Sequence, residues 1–538
     1  MTLLKNAFNN DYVRGSRSPL NPKGGSSSSI IELSSSDNSQ LSTITMDKET
    51  GAPRLVQKPS VVLYLAAASA LMGAIGMGTV LGWTGSAFDS MRDENSVPRL
   101  LDSDENKEAK TWIGSSMTLG ALVGAMISGP MAQLLGRKKA LILYSIPFTI
   151  GWLVLACANS VALLIVGRVI VGLSAGLLSG TAPSYVVEIS IISIRGFLGA
   201  CFQLCVTIGI LLVYLFGAFI HWNVLAGICV IPTLLMAIFM FFMPETPSYL
   251  VAQGKKTEAE QSLQALRGAG SDNEQEMAHL EEQAQESQQG QTFNVKSYFH
   301  RQHGLPLLLA LGLMFFQQFS GINAVMFYAS NIFIEAGSSI TPKYATIIIG
   351  VAQVIATVVG SLLVDRLGRK LLLNISGALH TISTSSLGLY YYYSSNGNDS
   401  YGWVPVVSLV IFIIGFSIGY GPIPWLMVAE ITPMSSRSVT SAIATAFNWT
   451  CAFLITKNFE IMNAALTKHG TFFLFAIFSF LSMVFVIVTL PETKGKSSEE
   501  IQSYFVKKSA LSNDDGLLKN GNNSSSANGD RVELEKLN

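Results

Sequence analysis

Three amide side chains, Gln317, Gln318 and Asn323, stand close together inside a largely apolar run of residues (304–334). An amide both donates and accepts hydrogen bonds. Polar groups at membrane depth are costly unless they pair or face a cavity. Two uses fit these residues: hydrogen bonding between helices, or contact with a ligand rich in hydroxyl groups. Gln317 and Gln318 are adjacent and lie six and five residues before Asn323, so only part of the set shares a face of a regular helix. Gly321 between them is where the helix can break. Charged pairs form a second constellation. Glu188 and Arg195, and again Glu430 and Arg437, are spaced by seven residues at the ends of apolar runs. They are suited to ion pairing, although solvated ends are an equally simple reading. Gly421, Pro422 and Pro424 interrupt another apolar run. A kink is tolerated at such a place; a hinge is the preferred reading.

Composition says what kind of element must carry these residues. The chain has 538 residues, with 35 Lys+Arg against 35 Asp+Glu, 49% hydrophobic and only 13% charged. Soluble domains carry about 25% charged residues, and the mean hydropathy here is +0.41. The charge balance argues against a nucleic-acid partner. The five cysteines lie in apolar runs and form no disulfide framework. No nucleophile–base or metal-ligand cluster is evident, so neither an enzyme nor a cofactor is expected.

A helix needs about 20 apolar residues to cross the hydrocarbon core. Twelve such runs can be traced, near 60–86, 112–134, 138–159, 162–187, 196–219 and 222–243, then 304–334, 344–364, 371–393, 404–430, 438–460 and 470–490. The expected fold is an all-α membrane protein of two six-helix bundles, 60–243 and 304–490, joined by a helical linker, 244–303. The stretches 1–59 and 491–538 are expected to be tails, the first and the second from Ser509 on rich in Ser and Asn and without ordered structure. Arg137, Lys138 and Lys139, Arg366, Arg369 and Lys370, and the basic residues of the linker all fall on one side. The positive-inside bias then makes the linker and both termini cytosolic. Asn398, in an Asn-Asp-Ser sequon, would face outward as a glycosylation candidate.

The two bundles repeat each other. Leu135-Gly136-Arg137-Lys138 returns as Leu367-Gly368-Arg369-Lys370, the Glu188/Arg195 pair as Glu430/Arg437, and Pro244-Glu245-Thr246 as Pro491-Glu492-Thr493. Parallel halves of this kind suit a transporter with a central site. The symmetric charges suggest cross-bundle pairs, Glu188 with Arg437 and Glu430 with Arg195, which with Arg137, Asp365 and Arg369 would hold an inner gate shut in the outward-open state.

The chain resembles the sugar-porter branch of the major facilitator superfamily over about residues 60–505. The resemblance rests on Gly167-Arg168, Pro183-Ser184-Tyr185-Val186-Val187-Glu188, Pro244-Glu245-Thr246-Pro247-Ser248, Gln317-Gln318-Phe319-Ser320-Gly321-Ile322-Asn323, Asp365-Arg366-Leu367-Gly368-Arg369-Lys370, Gly421-Pro422-Ile423-Pro424-Trp425 and Pro491-Glu492-Thr493-Lys494-Gly495-Lys496. Within that branch, Gly82-Trp83-Thr84 and the stretch from Gly421 to Met427 look most like insect trehalose transporters and animal glucose facilitators.

The resemblance implies that Gln317, Gln318 and Asn323 bind a small-molecule sugar. It also implies that Gln203, Gln353, Trp425 and Asn448 line the same cavity, and that Pro422 and Pro424 belong to a gate. Proton-coupled members carry an Asp in a Gly-Tyr-Asp context in the first run; here the stretch is Gly82-Trp83-Thr84, and Thr84 carries no proton at physiological pH. The expected function is facilitated, uncoupled transport of a hexose or of trehalose across the plasma membrane. A sugar sensor that does not transport, a proton symporter and a carrier of a non-sugar substrate are the alternatives. Departures from the family pattern include Gln133 and Ser248 where charges are usual, and Met314-Phe315-Phe316 ahead of Gln317. Monosaccharide and disaccharide remain open at this point, as does oligomeric state.

Overall fold

The computed structural model describes residues 30–33, 42–46, 53–55, 59–94, 96–101, 104–268, 273–289, 298, 301–335, 341–395, 401–433, 436–496 and 500–505. Contacts divide the chain into two units, residues 1–58 and residues 59–538. Asn398 and the C-terminal stretch from residue 506 lie outside the described residues.

The first unit contains an antiparallel three-stranded meander of β1 (Ile30–Leu33), β2 (Ser42–Met46) and β3 (Pro53–Leu55). Ile31 faces Ile44, and Ile44 in turn faces Leu55. Low apolar content predicted no order over 1–59. Locally, Ile30, Ile31, Thr43, Ile44 and Thr45 supply β-branched strands that composition averaged over the whole stretch conceals.

The second unit is helical. Its first half comprises α1 (Val61–Ser90), α2 (Asp104–Leu135), α3 (Arg137–Ala156), α4 (Val161–Ile189) and α5 (Ile192–Gly217), then α6 (Trp222–Ile228) and α7 (Ile231–Phe242) as one interrupted crossing. Ser60 and Ser160 cap α1 and α4, accepting from the N–H groups of Leu63 and Leu163. Pro232, at the second position of α7, needs no donor there. Helices in this half touch backbone to backbone. A Cβ on Gly120 or Gly124 of α2 would overlap the carbonyls of Val169 and Leu173, and one on Gly172 or Gly176 of α4 those of Met117 and Ala121. Gly78 of α1 and Gly209 of α5 meet in the same reciprocal way.

Three linker helices follow: α8 (Pro247–Ala252), α9 (Lys256–Arg267) and α10 (Glu274–Gln289). Leu250, Val251, Ala259, Leu263 and Met277 form their small core. The α9 helix is stitched to the first half. Ser60 Oγ donates to Ala265 O (2.7 Å), Ser262 Oγ to Glu245 O (2.6 Å), and the buried Arg267 guanidinium to Ile189 O (2.8 Å) and both oxygens of Glu276 (2.6 and 3.1 Å).

The second half has α11 (Arg301–Phe319), α12 (Ile322–Glu335), α13 (Pro342–Leu367), α14 (Arg369–Ser395), α15 (Val404–Gly415), a π-helical turn (Phe416–Tyr420), α16 (Ile423–Ile431) and α17 (Arg437–Thr489). Glycines of α11 and α14 meet side chains: Gly312 the Phe485 ring, Gly377 Met483 and Gly388 Phe473. Among the described residues, ten helices are long and apolar enough to cross a membrane. This agrees with twelve crossings. At 1.5 Å per residue the 53-residue α17 would span about 80 Å, but Thr467 (φ 64°) breaks it, so it supplies two. The remaining crossing, α14, buries Ser376, His380, Ser383 and Thr384, and these polar residues keep it below the apolarity of the others.

The linker and the basic helix ends lie on one side. The two halves close on each other at the opposite side. There Trp83, Phe88 and Tyr214 share one apolar cluster with Met326, Phe327, Ile349, Trp449 and Phe459. The Lys457 ammonium sits 3.9 Å from the centre of the Trp112 ring across the same junction.

Candidate functional site

The site begins at the break between α11 and α12. Gly321 has φ +91°, and a Cβ there would lie 2.7 Å from the Phe475 ring, so both backbone and space call for glycine. The break overturns the helical-face argument that separated Asn323 from the two glutamines: Asn323 Nδ2 donates to Gln318 Oε1 at 2.6 Å. Gln318 Nε2 donates to Asn448 Oδ1 (3.1 Å), and Asn448 Nδ2 donates to Gln317 Oε1 (2.6 Å) and to the Met314 sulfur (3.3 Å). Gln317 Nε2 ends the chain on the carbonyls of Tyr420 (2.6 Å) and Gly421 (3.3 Å). All four amide side chains are buried. Asparagine and glutamine from α11, α12 and α17 thus form one continuous relay that ends on the interrupted helix 404–431.

That interruption is local and physical. Pro422 lacks an N–H and its ring excludes a regular turn. Gly421 N–H reaches back five residues to Phe416 O at 2.7 Å, which makes the preceding turn a π-turn. Helix resumes at Ile423, where Pro424 occupies a first-turn position that needs no donor. The interruption expected at Gly421, Pro422 and Pro424 is therefore present. Trp425, just beyond it, is about one-third exposed.

Not every expected residue joins the relay. Gln353 on α13 is buried, and its Oε1 has no partner among the described residues. Gln203 on α5 is half-buried. In the first half, the fully buried Arg168 donates to Val80 O (2.9 Å) and Ile113 O (3.2 Å) and lies over the Trp83 ring at 5.5 Å. Its Nη2 and the Thr84 hydroxyl have no partner among the described residues. Among the described residues no Asp or Glu is fully buried.

The cross-bundle pairs, expected when the inner gate is shut, are not the pairs formed here. Arg137 binds Glu188 within the first half (3.0 Å), and Arg369 binds Glu430 (3.0 Å) and Asp365 (3.2 Å) within the second. Among the described residues, no ion pair involves Arg195, which is exposed, or Arg437, whose Nη2 donates to Thr432 O at 3.4 Å. The reason is spatial: the halves meet on the opposite side, so each glutamate finds the arginine of its own half. Half-burial away from carboxylates lowers the Arg437 pKa from its ordinary value.

Sequence reasoning missed the glutamates of the two Pro-Glu-Thr repeats. Glu245 accepts from the backbone N–H groups of Arg137 (2.9 Å), Lys138 (3.0 Å) and Thr246 (3.0 Å), capping α3. Glu492 accepts from those of Arg369, Lys370, Thr493 and Lys494, each at 3.0 Å, capping α14. Gly136 (φ +87°) and Gly368 (φ +91°) lead into these helices, and a Cβ on either would run into the capping carboxylate. Burial raises the Glu492 pKa, but the four backbone donors outweigh it and leave the carboxyl below the usual glutamate range. The signal was available in the repeated pairing of Gly-Arg-Lys with Pro-Glu-Thr.

Comparison with known proteins agrees with this architecture. The family model described as "Sugar (and other) transporter" matches residues 67–505. A facilitated trehalose transporter Tret1 of Culex quinquefasciatus is 41% identical over 81% of this chain and 84% of its own length, and that of Bombyx mori 40% over 85% and 90%. The chain spans 58% of the length of the Anopheles gambiae relative, with 39% identity. Among solved structures, the major facilitator proton:xylose symporter XylE bound to 6-bromo-6-deoxy-D-glucose superposes with a TM-score of 0.71 at 25% identity, covering 82% of this chain and 99% of that one. The inward-open form of the xylose transporter XylE from E. coli shares the fold, with a TM-score of 0.67. A match across 67–505, a twelve-crossing fold and relatives at about 40% identity have one reading: the chain belongs to the sugar transporter family of the major facilitator superfamily.

Proposed function

We infer that this protein is a multi-pass membrane carrier that moves a neutral sugar, trehalose or a hexose, by facilitated diffusion. The amide relay carries the reading. Gln317, Gln318, Asn323 and Asn448 are joined in one chain of hydrogen bonds. A sugar hydroxyl, itself donor and acceptor, can replace any link of such a chain without leaving a buried group unpaired. Gln203, Gln353 and Trp425 complete the lining, with the one-third-exposed Trp425 ring as a plate for the apolar face of the sugar. Charged substrates are disfavoured by the absence of Lys or Arg from this set.

The basic linker side is assigned to the cytosol and the carrier to the plasma membrane, with both termini inside. Closure on the opposite side then makes this the inward-facing state. In the outward-facing state Glu188, Arg195, Glu430 and Arg437, with Arg137, Asp365 and Arg369, come together and close the inner gate. Pro422 and Pro424 provide the outer-gate hinge. Uncoupled transport is supported by Thr84 in the first crossing and by Arg168, whose charge rests on two carbonyls and an indole face.

Uptake of labelled trehalose and labelled glucose into proteoliposomes, with and without a proton gradient, tests the reading. Saturable uptake of either sugar that an uncoupler leaves unchanged is expected. Uptake that collapses with the gradient would overturn the uncoupled mechanism. Absence of uptake by correctly inserted protein would overturn transport itself and favour a sensor.

A further inference from the structure

We propose that Ser376, on α14 and one helix away from the amide relay, is a positioning residue for sugar binding, acting through the two successive peptides that flank the Tyr420 Cα and through Gln317. The proposal rests on the reading of Gln317 as a sugar contact. Ser376 is fully buried. Its hydroxyl donates to Gly415 O at 2.7 Å and accepts from Tyr420 N–H at 3.2 Å. Those two groups, five residues apart, are the ones a π-turn would join to each other. The serine hydroxyl is therefore inserted into the backbone of the interrupted helix and completes it from outside.

Such an approach requires glycines on the facing helix. A Cβ on Gly419 would lie 2.5 Å from the Ser376 Cβ and 2.8 Å from Leu372 O, and one on Gly415 would lie 2.8 Å from the Leu379 Cβ. His380, one turn further along α14, stacks on Phe412 at 4.4 Å and holds the same stretch. The next peptide along the chain, Tyr420–Gly421, belongs to the site. Tyr420 O and Gly421 O are the acceptors for Gln317 Nε2. With its Nε2 committed to these carbonyls, Gln317 must turn its Oε1 toward Asn448. Ser376 thus holds the Gly419–Tyr420 peptide, and through the shared Tyr420 Cα it sets the direction of the adjoining Tyr420 carbonyl. That carbonyl fixes the amide orientation of Gln317, and the orientation decides which hydrogen-bonding group meets a sugar hydroxyl. Without the serine hydroxyl, Tyr420 N–H and Gly415 O have reason to close directly on each other, which turns the adjoining Tyr420 carbonyl away from Gln317.

The test is equilibrium exchange of labelled trehalose and labelled glucose by the full-length protein in proteoliposomes. Ser376→Ala is expected to raise the exchange KM about three- to tenfold, with Vmax per inserted carrier within about twofold. Ser383→Ala is the control, because among the described residues the buried Ser383 hydroxyl bonds only the His380 carbonyl of its own helix (3.0 Å), and should leave both constants within about twofold. Adding Ser376→Ala to Gln317→Ala should weaken exchange no further than Gln317→Ala alone, since one acts through the other. Ser376→Cys keeps the volume with a weakly bonding thiol and must shift KM in the same direction, which guards against a misfolded alanine variant. A near-normal KM in Ser376→Ala beside an impaired Gln317→Ala overturns the proposal alone, and so do effects that multiply in the double variant. Normal exchange by Gln317→Ala overturns the sugar-site reading and this proposal with it.

Discussion

Replacing Glu492 by Gln should destabilise the protein, and the loss should depend on pH in a defined direction. The carboxylate accepts four backbone hydrogen bonds, two of them at the first turn of α14, where the helix dipole favours negative charge. Gln offers one acceptor oxygen and brings an NH2 group toward N–H donors. Loss of a capping acceptor costs about 0.5–2 kcal/mol. The partial exposure of Glu492 argues for the middle of that range, about 1 kcal/mol. For a bundle of this size that is about 2–4 °C of melting temperature. Because the folded-state pKa is depressed, the charged-state stabilisation is complete above the unfolded value of about 4.3. It is lost as pH falls from there through the lower folded value. The assay is thermal unfolding of detergent-purified wild type and Glu492→Gln from pH 8 to pH 3. The gap should hold constant down to about pH 5 and close below about pH 4. A gap that is absent at neutral pH, or that closes between pH 8 and 6, would refute the assignment of Glu492 as an ionised cap.

Asn448→Leu strips partners from Gln317 Oε1 and Gln318 Nε2 together, so sugar affinity measured by exchange should fall at least tenfold, about 1.4 kcal/mol, while the protein still inserts. Gly321→Ala places a side chain at φ +91° and against Phe475; a cost of about 2–4 kcal/mol is expected, read as a lower melting temperature and lost sugar binding. Arg267→Ala removes the tie from α9 to Ile189 and Glu276. Limited proteolysis should then cut the linker at least several-fold faster, with cleavage confined to residues 247–289.

Much of the fold could be read from spacing. Hydrophobic runs locate the crossings because a bilayer demands long apolar helices, and even α14, with its buried serines and histidine, kept enough apolar length to be seen. The site was partly legible. The amides stood out as costly residues in apolar surroundings, but their mutual arrangement depended on a left-handed glycine at 321, and helical periodicity cannot anticipate what a break brings together. The pairs of Arg137 with Glu188 and of Arg369 with Glu430 were not legible, because sequence symmetry says which residues correspond and says nothing of which state the halves occupy. Ser376 carried no signal at all. A serine in an apolar helix usually bonds its own backbone, and its role is set by a gap in a different helix.

The backbone contacts through Gly78, Gly120, Gly124, Gly172, Gly176 and Gly209 bear on where the molecule can give. Where two helices touch main chain to main chain, no side chain remains to rotate, and sliding would drive carbonyls into one another. Among the described residues the second half makes fewer such contacts, at Gly360 and Gly419, and meets rings and a methionine at Gly312, Gly377 and Gly388. It also holds the break at Gly321 and the π-turn at 416–420. In mechanical terms the first half is the stiffer frame, and the half that contains Gln317, Gln318, Asn323 and Asn448 holds the joints.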